Sequence, residues 1–191
     1  IIDYSDISRR WEMPARYYTK TFEDDGTTVR VVFLDTTPLI DKYRKKADTY
    51  PDAINQDTDA QLQWLDKTLG EATEDWIVVV GHHPIYAYTD KSESERTDMR
   101  KKVDTILRKH NVDMYICGHI HNYQHIRLPD SKIDYVVNTS GSLTRTPKET
   151  DGTIFCNDSP GFSVLTADRN NLRLNMLDKD GKAIHVVSRT K

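Results

Sequence analysis

Short apolar runs separated by polar turns mark the start of this chain of 191 residues. The run Val29–Leu34 is β-branched and apolar, and it follows an acidic stretch that ends at Gly26. β-branched residues fit extended strands, whereas acidic residues beside a glycine fit turns. The pattern therefore predicts a β-hairpin in which Tyr17–Glu23 pairs with Thr27–Asp35.

Two later segments carry apolar residues at helical spacing. The first starts with the capping-box sequence Thr58-Asp59-Ala60-Gln61, whose Thr and Gln side chains can each satisfy a free backbone donor. For the second, Asp98 is the predicted N-cap and Asn111 the predicted stop. The periodic positions are Leu62, Leu65, Leu69 and Ala72 in the first helix, and Met99, Val103, Ile106 and Leu107 in the second.

Two continuous apolar runs, Trp76–Val80 and Met114–Cys117, are typical of strands that are covered on both faces. Because strands and helices alternate here, we predict parallel strands joined by right-handed crossovers, within a mixed α/β fold. The tail changes to short strands, of which the second and third should form an antiparallel hairpin. These strands are predicted at Tyr135–Thr139, Phe162–Ala167, Asn171–Leu177 and Ala183–Val187.

The composition narrows the class of protein. Hydrophobic residues make up 37% and charged residues 30%, as in soluble globular domains, and residues 1–191 fit a single domain. The net charge of −3 gives no electrostatic case for binding nucleic acid or a membrane surface. No apolar run approaches the roughly 20 residues that span a bilayer. Cys117 and Cys156 are too few for a disulfide scaffold.

Histidines follow both of the predicted parallel strands. His82 and His83 come after Gly81, and His119 and His121 come after Gly118. Side chains at the carboxyl ends of neighbouring parallel strands converge, and ligands collect there. If the second segment is extended, the rings of His119 and His121 point to the same side, since side chains alternate along a strand. A lone histidine at a strand end is usually only a polar residue that reaches solvent, but two such motifs in one sheet indicate a metal site.

The two motifs resemble the last two metal motifs of calcineurin-like metallophosphoesterases. Further stretches are similar to the tartrate-resistant branch of the purple acid phosphatases, and they occur in the same order as in that branch. The matching segments are Tyr4–Trp11, Phe33–Thr36, Gln61–Leu65, Gly81–Pro84, Tyr115–His121 and Asn138–Gly141. The likeness therefore runs over essentially the whole chain.

This resemblance implies the C-terminal half of a four-layer α/β-β/α sandwich that holds two metal ions between its sheets. By position in the motifs, His82 and His119 are the expected ligands of the second, divalent metal, and His121 of the first. The implied ions are Fe(III) together with Fe(II), Zn(II) or Mn(II). His83 stands where many relatives carry another residue. We predict that it assists catalysis from the substrate side or from behind the ligands, and a purely structural role is the open alternative. The family also implies export to the periplasm or the extracellular space.

The first three motifs of the family, Asp-x-Gly, Gly-Asp-x-x-Tyr and Gly-Asn-His, are not found in the sequence. Asp24-Asp25-Gly26 matches the first motif only in spelling, because it lies in a predicted turn. Three imidazoles without a bridging carboxylate leave the charge of two neighbouring cations largely uncompensated. We therefore expect an incomplete catalytic domain, inactive alone, whose partner is the missing N-terminal half.

Three functions remain open. The resemblance favours hydrolysis of phosphate monoesters by two metal ions, with a phosphomonoester as the substrate. A phosphodiesterase of the same superfamily carries similar metal motifs, and the flanking stretches favour the monoesterase. A non-catalytic metal-binding or scaffold relative would also keep this fold.

Overall fold

The computed structural model describes residues 2–139 and 141–191. Ile1 and Ser140, the latter inside the Asn138–Gly141 motif, lie outside the described residues. The ten strands are β1 (Tyr18–Asp24), β2 (Thr27–Phe33), β3 (Trp76–Val80), β4 (Met114–Cys117), β5 (Tyr123–Arg127), β6 (Asp134–Val137), β7 (Thr153–Asn157), β8 (Gly161–Ala167), β9 (Asn171–Asp178) and β10 (Ala183–Thr190).

The helices lie between β2 and β4, apart from a short 3-10 helix at Ile2–Asp6. They are α1 (Asp41–Arg44), α2 (Pro51–Ile54), α3 (Thr58–Gly70), α4 (Glu93–Met99) and α5 (Thr105–Lys109), and a π-helical turn at Arg100–Asp104 joins the last two. In the described part of the chain, no helix is long and apolar enough to cross a bilayer.

The strands form a seven-stranded mixed sheet and a three-stranded antiparallel sheet. The order in the larger sheet is β1-β2-β3-β4-β6-β5-β7, and in the smaller sheet β10-β9-β8. β2, β3, β4 and β6 run parallel to one another, whereas β1, β5 and β7 are antiparallel to their neighbours. The mixed α/β prediction is thereby confirmed, and β3 and β4 are parallel neighbours as expected.

Successive residues of the central strands serve two different cores, because side chains alternate across a sheet. On one face, Val79 and Tyr115 pack with Leu65 of α3 and Leu107 of α5. On the other face, a second core joins the two sheets through Trp76, Val78, Met114, Val136, Leu172, Leu174, Met176 and Val187. The described residues thus form three layers, a helical layer and two sheets, and they do not form the fourth layer of the predicted sandwich.

The two predicted hairpins are confirmed. β1 pairs with β2 from Tyr18↔Phe33 to Asp24↔Thr27, and Asp25 and Gly26 turn the chain with φ of 45° and 67°. β8 pairs with β9 in the predicted antiparallel manner around a loop that begins at Asp168. Asn111 also ends the second helical run as predicted, with φ of 51° just after α5.

Two predicted helix caps are wrong. The N-cap of α3 is Asp57, which accepts a hydrogen bond from the backbone N–H of Ala60 at 2.9 Å. Gln61 is buried and instead exchanges two 3.0 Å hydrogen bonds with the backbone of Asp35. Asp98 lies inside α4, because that helix starts at Glu93, and its carboxylate accepts from the backbone N–H of Asp41 at 2.9 Å.

Two strands were not predicted from the sequence. β5 has the sequence Tyr-Gln-His-Ile-Arg, and its polar residues Gln124 and His125 are buried. β7 is only partly buried and pairs with β5 at the sheet edge. Polar residues inside a strand remove the alternation of apolar and polar positions on which the sequence argument depends.

Candidate metal centre

The two Gly-His motifs meet at the carboxyl ends of β3 and β4. Val80 pairs with Ile116 in the parallel register of these strands. Beyond that pair, the backbone N–H of Gly81 donates to the carbonyl of Ile116 at 3.0 Å, and the N–H of Gly118 donates to the carbonyl of His82 at 3.1 Å. The pairing therefore extends into the motifs themselves and fixes His82 beside Gly118.

The two glycines differ in why they are needed. A Cβ on Gly81 would lie 2.5 Å from the Tyr115 hydroxyl and 2.7 Å from Cγ2 of Thr36, so the space admits no side chain. That hydroxyl donates to the carbonyl of His83 at 2.7 Å. A Cβ on Gly118 would meet nothing within 4 Å. Close packing therefore explains the glycine before His82 but not the one before His119.

The segment that carries His119 and His121 is not extended, contrary to expectation. Both residues have a left-handed backbone, with φ of 70° and 59°. Such a conformation is uncommon outside glycine and is found disproportionately at functional sites. The alternation argument for their ring directions is therefore wrong, because it assumes a strand.

His82 and His119 are direct neighbours. Nε2 of His82 lies 3.0 Å from Nδ1 of His119, and the ring centroids are 4.9 Å apart. One ligand nitrogen from each of His82, His83 and His119 can be chosen so that all three lie within 4.8 Å of one another. His82 is exposed, His119 half-buried and His83 buried. The structure thus brings together two predicted ligands and the predicted catalytic residue.

A continuous chain of hydrogen bonds runs behind these histidines. It passes from Thr36 Oγ1 to His83 Nδ1 (2.8 Å), from His83 Nε2 to the Tyr43 hydroxyl (3.2 Å), and from that hydroxyl to Glu95 Oε1 (2.9 Å). Glu95 Oε2 then contacts Nε2 of His119 at 3.1 Å. The carboxylate side chain is 3% exposed, so it has little access to solvent.

The direction of donation along this series of hydrogen bonds determines which ring nitrogens carry protons. The Tyr43 hydroxyl donates to Glu95, so it accepts from Nε2–H of His83, whose Nδ1 in turn accepts from Thr36. In the same way, Nε2 of His119 carries the proton that faces Glu95. Nδ1 of His119 therefore keeps its lone pair, and that lone pair faces His82.

The charges near Glu95 keep it ionised. Burial would raise its pKa, but hydrogen bonds from Lys42 and Tyr43 outweigh burial and lower the pKa to about 2. The Lys42 ammonium lies 2.9 Å from Oε1. Burial lowers the pKa of His83 to about 3, with the charge of His119 adding to the effect, so His83 is neutral near pH 7.

His83 and His121 differ in the state of their ring nitrogens. Both ring nitrogens of His83 have hydrogen-bond partners, and the side chain is buried. His121 is outside the group of three, and its buried Nδ1 has no hydrogen-bond partner among the residues that the structure describes. A buried polar atom without a partner is costly, and coordination to a metal ion would satisfy this nitrogen.

Four residues of this region were not predicted from the sequence: Thr36, Tyr43, Lys91 and Glu95. Nζ of Lys91 lies 3.2 Å from Nε2 and 3.5 Å from Nδ1 of His119. The sequence offered no signal for Glu95, because it stands among charged residues that resemble a solvated surface. Its contact with His119 joins residues 24 positions apart and depends on how α4 packs against the sheet.

A cleft of about 460 Å³ opens beside His82. Besides His82 it is lined by Ile2, Asp3, Met13, Arg16, Leu34, Asp35, Thr36, Thr37 and Asp52. Thr36, the first member of the hydrogen-bonded series, and the exposed His82 thus border the same space, through which a small polar ligand can approach His82.

The donor set fits a metal ion. Two nitrogen ligands at about 2.0–2.2 Å from one tetrahedral ion lie roughly 3.3–3.6 Å apart. The His82–His119 nitrogen separation of 3.0 Å is close to this range, so a small adjustment would direct both nitrogens at one ion. A histidine ligand usually donates its second N–H to a carboxylate or carbonyl, as His119 does to Glu95. Nδ1 of His121, which has no hydrogen-bond partner among the described residues, is a further nitrogen that could coordinate a metal ion.

Comparison with known proteins gives the family context. The sequence profile of the calcineurin-like phosphoesterase family matches residues 3–123. Tartrate-resistant acid phosphatase type 5 of Mus musculus is 32% identical over 147 residues, which are 74% of this chain and 44% of that protein. The chain thus spans less than half the length of this relative.

Two solved structures share the fold. GAP50, described as the anchor in the inner membrane complex of Plasmodium, has a TM-score of 0.71 and 24% identity, over 94% of this chain and 56% of that chain. The purple acid phosphatase PPD1 from yellow lupin (Lupinus luteus) seeds has a TM-score of 0.62 and 18% identity, over 91% of this chain and 32% of that chain. The resemblance to purple acid phosphatases that the sequence motifs indicated is confirmed.

Proposed function

The chain belongs to the calcineurin-like phosphoesterase family, and from this premise we propose that it supplies histidine ligands to a two-metal site that hydrolyses phosphate monoesters. The observation that carries the proposal is the convergence of His82 Nε2 and His119 Nδ1 at 3.0 Å, at the ends of two parallel strands. The tartrate-resistant acid phosphatase relative supports the choice of monoesters.

His82, His119 and His121 are the proposed ligands, with His82 and His119 on one ion and His121 on the other. When bound, the ions supply Lewis acidity and neutralise charge on the phosphoryl group. Glu95 holds the proton on His119 Nε2 and so presents Nδ1 as the donor atom. The identity of the ions, Fe(III) with Fe(II), Zn(II) or Mn(II), and an exported location stay predictions.

We retain the predicted catalytic role of His83 in an indirect form. Because both of its ring nitrogens are occupied, His83 has no free atom to offer a substrate in this arrangement. It positions the Tyr43 hydroxyl, which in turn contacts Glu95. We therefore propose that His83 affects turnover through the orientation of His119.

The test uses the full-length protein purified with its metals. Turnover of p-nitrophenyl phosphate should exceed that of bis(p-nitrophenyl) phosphate, and His119→Asn should abolish both metal binding and turnover. His110→Asn is the matched control, because His110 pairs with Asp66 at 2.7 Å rather than with the histidine group. A preference for the bis-ester would instead identify a phosphodiesterase, the alternative within the superfamily.

A non-catalytic anchor is the second candidate, and one observation favours it. The Lys91 ammonium lies 3.2 Å from a ring nitrogen of His119, and its positive charge opposes a metal ion there. GAP50, which shares this fold, is described as an anchor. Absence of turnover on both esters, in protein that binds no metal, would support this candidate over the phosphatase.

A further inference from the structure

A pocket lined by two cations, Lys91 and Arg145, adjoins the histidine group. It has a volume of about 290 Å³ and is lined by Tyr88, Thr89, Asp90, Lys91, Ile120, Asn122, Arg145 and Thr146. We call it the basic pocket. Lys91 belongs both to this pocket and to the surroundings of His119, because its ammonium lies 3.2 Å from Nε2 of that ring.

Buried amides hold the walls of the basic pocket in place. Gln124 is fully buried, accepts from the backbone N–H of Tyr88 at 2.8 Å, and donates to the carbonyl of Tyr88 at 2.8 Å and to Asn122 at 2.9 Å. Asn122 donates to the carbonyl of Arg145 at 3.1 Å. The backbone N–H of Arg145 donates to the carbonyl of His121 at 2.9 Å. The pocket is therefore built onto the second histidine motif.

The charge of the basic pocket is not balanced internally. Within the described ranges, neither Lys91 nor Arg145 has a carboxylate oxygen within 4.0 Å, whereas fourteen other Lys and Arg side chains do. Asp90, the one acidic residue of the lining, accepts instead from the Tyr88 hydroxyl at 3.3 Å. Two cations that repel each other beside a site are stabilised by an anion placed between them.

We propose that the basic pocket binds a second phosphate group of the substrate, next to the phosphate that is hydrolysed. This inference rests on the proposed phosphatase function. It narrows the substrate class to phosphate monoesters that carry a further phosphate. Because the chain has a net charge of −3, it has no general attraction for anions. The two cations are therefore a local feature of this pocket.

Steady-state kinetics of the full-length, metal-loaded protein test the proposal with a hexose bisphosphate and the matching hexose monophosphate. We expect a lower KM for the bisphosphate. Arg145→Gln should lower kcat/KM for the bisphosphate about 10-fold more than for the monophosphate, the loss expected for one charge-assisted contact. Arg173→Gln, at an exposed position on β9, is the matched control and should leave the ratio unchanged.

Calorimetric titration of both hexose phosphates gives a second measurement that needs no turnover. If neither compound is hydrolysed, the phosphatase proposal fails, and tighter binding of the bisphosphate that is lost in Arg145→Gln still supports the pocket. Equal binding of the two compounds, or equal effects of Arg145→Gln and Arg173→Gln, overturns the proposal that the basic pocket binds a second phosphate. A preference for phosphoglycerate over glycerol phosphate, without one for the bisphosphate, would assign the pocket to a carboxylate and overturn the phosphate assignment.

Discussion

Glu95 Oε2 lies 3.1 Å from Nε2 of His119, and this contact determines which nitrogen of the ring faces the candidate metal site. The carboxylate is ionised, because Lys42 and Tyr43 hydrogen-bond to its other oxygen. It therefore accepts the Nε2 proton and leaves Nδ1 of His119 as a donor atom beside His82. A buried carboxylate behind a histidine ligand is a common means of orienting the ligand.

Replacing this carboxylate should weaken the metal site while leaving its histidines intact. In Glu95→Gln the amide is neutral and can present an N–H to Nε2 of His119. This favours the tautomer that carries its proton on Nδ1, the nitrogen needed for the metal. We expect metal affinity to fall about 10- to 100-fold in the full-length protein, measured by competition with a chelator. Glu93→Gln is the control on the same helix, since Glu93 is exposed and pairs with Arg96 and Arg100. Equal affinities in the two variants would contradict the role of Glu95.

His121 and His83 should respond differently to truncation. His121 has a buried Nδ1 without a partner in the described part of the chain, so His121→Ala should remove a ligand and release its metal. His83 is already hydrogen-bonded through both ring nitrogens, so His83→Ala should keep the metal content and lower activity or affinity by about 10- to 100-fold. Metal content per chain and phosphatase turnover distinguish the two. Complete loss of metal in His83→Ala would make His83 a ligand in place of His82.

The core strands and the histidine motifs could be predicted from the sequence for a physical reason. Strands buried on both faces must be apolar throughout, which makes Trp76–Val80 and Met114–Cys117 visible without a structure. The same topology predicts that residues after neighbouring parallel strands converge, and His82 and His119 do so. The apolar composition of the strands and the convergence of side chains after parallel strands were therefore sufficient to predict that His82 and His119 lie together.

The residues behind the histidines could not be predicted, because their contacts depend on tertiary packing. Thr36 and His83 are 47 positions apart, and Tyr43 and Glu95 are 52 apart. Each of these residue types is also common on a surface, so nothing in the local sequence distinguishes them. The left-handed backbone of His119 was missed for a related reason, since the sequence indicates strand there and the turn is imposed by its surroundings.

The two glycines that precede the histidines should differ in their tolerance of alanine. In Gly81→Ala the new methyl group would contact the Tyr115 hydroxyl and Thr36, and it would strain the hydrogen bond from Tyr115 to the His83 carbonyl. We expect a loss of about 1–3 kcal/mol in unfolding free energy, typical of overpacking. Gly118→Ala meets no neighbour, so its effect should stay within about 0.5 kcal/mol. Urea denaturation of both variants is the measurement, and a similar loss in both would contradict the packing argument.

A histidine pair away from the candidate metal site should make stability depend on pH. Nε2 of His185 on β10 lies 3.0 Å from Nδ1 of His125 on β5, and the His185 ring stacks on Phe155 with centroids 4.4 Å apart. Burial, reinforced by the charge of His125, lowers the pKa of His185 to about 4. In the unfolded chain a histidine has a pKa of about 6.5, so the unfolded state takes up the proton first as pH falls. The contribution of neutral His185 to the free energy of unfolding is therefore present above about pH 6.5, and it is lost as the pH falls towards 4.

His185→Phe tests this assignment, because phenylalanine keeps an aromatic ring against Phe155 and cannot be protonated. Urea midpoints measured between neutral pH and about pH 4 should fall less steeply in His185→Phe than in the unmodified protein. Carboxylates that titrate in the same range contribute equally to both proteins, so the difference between the two curves isolates the histidine. Parallel curves for His185→Phe and the unmodified protein would show that another group carries the pH dependence.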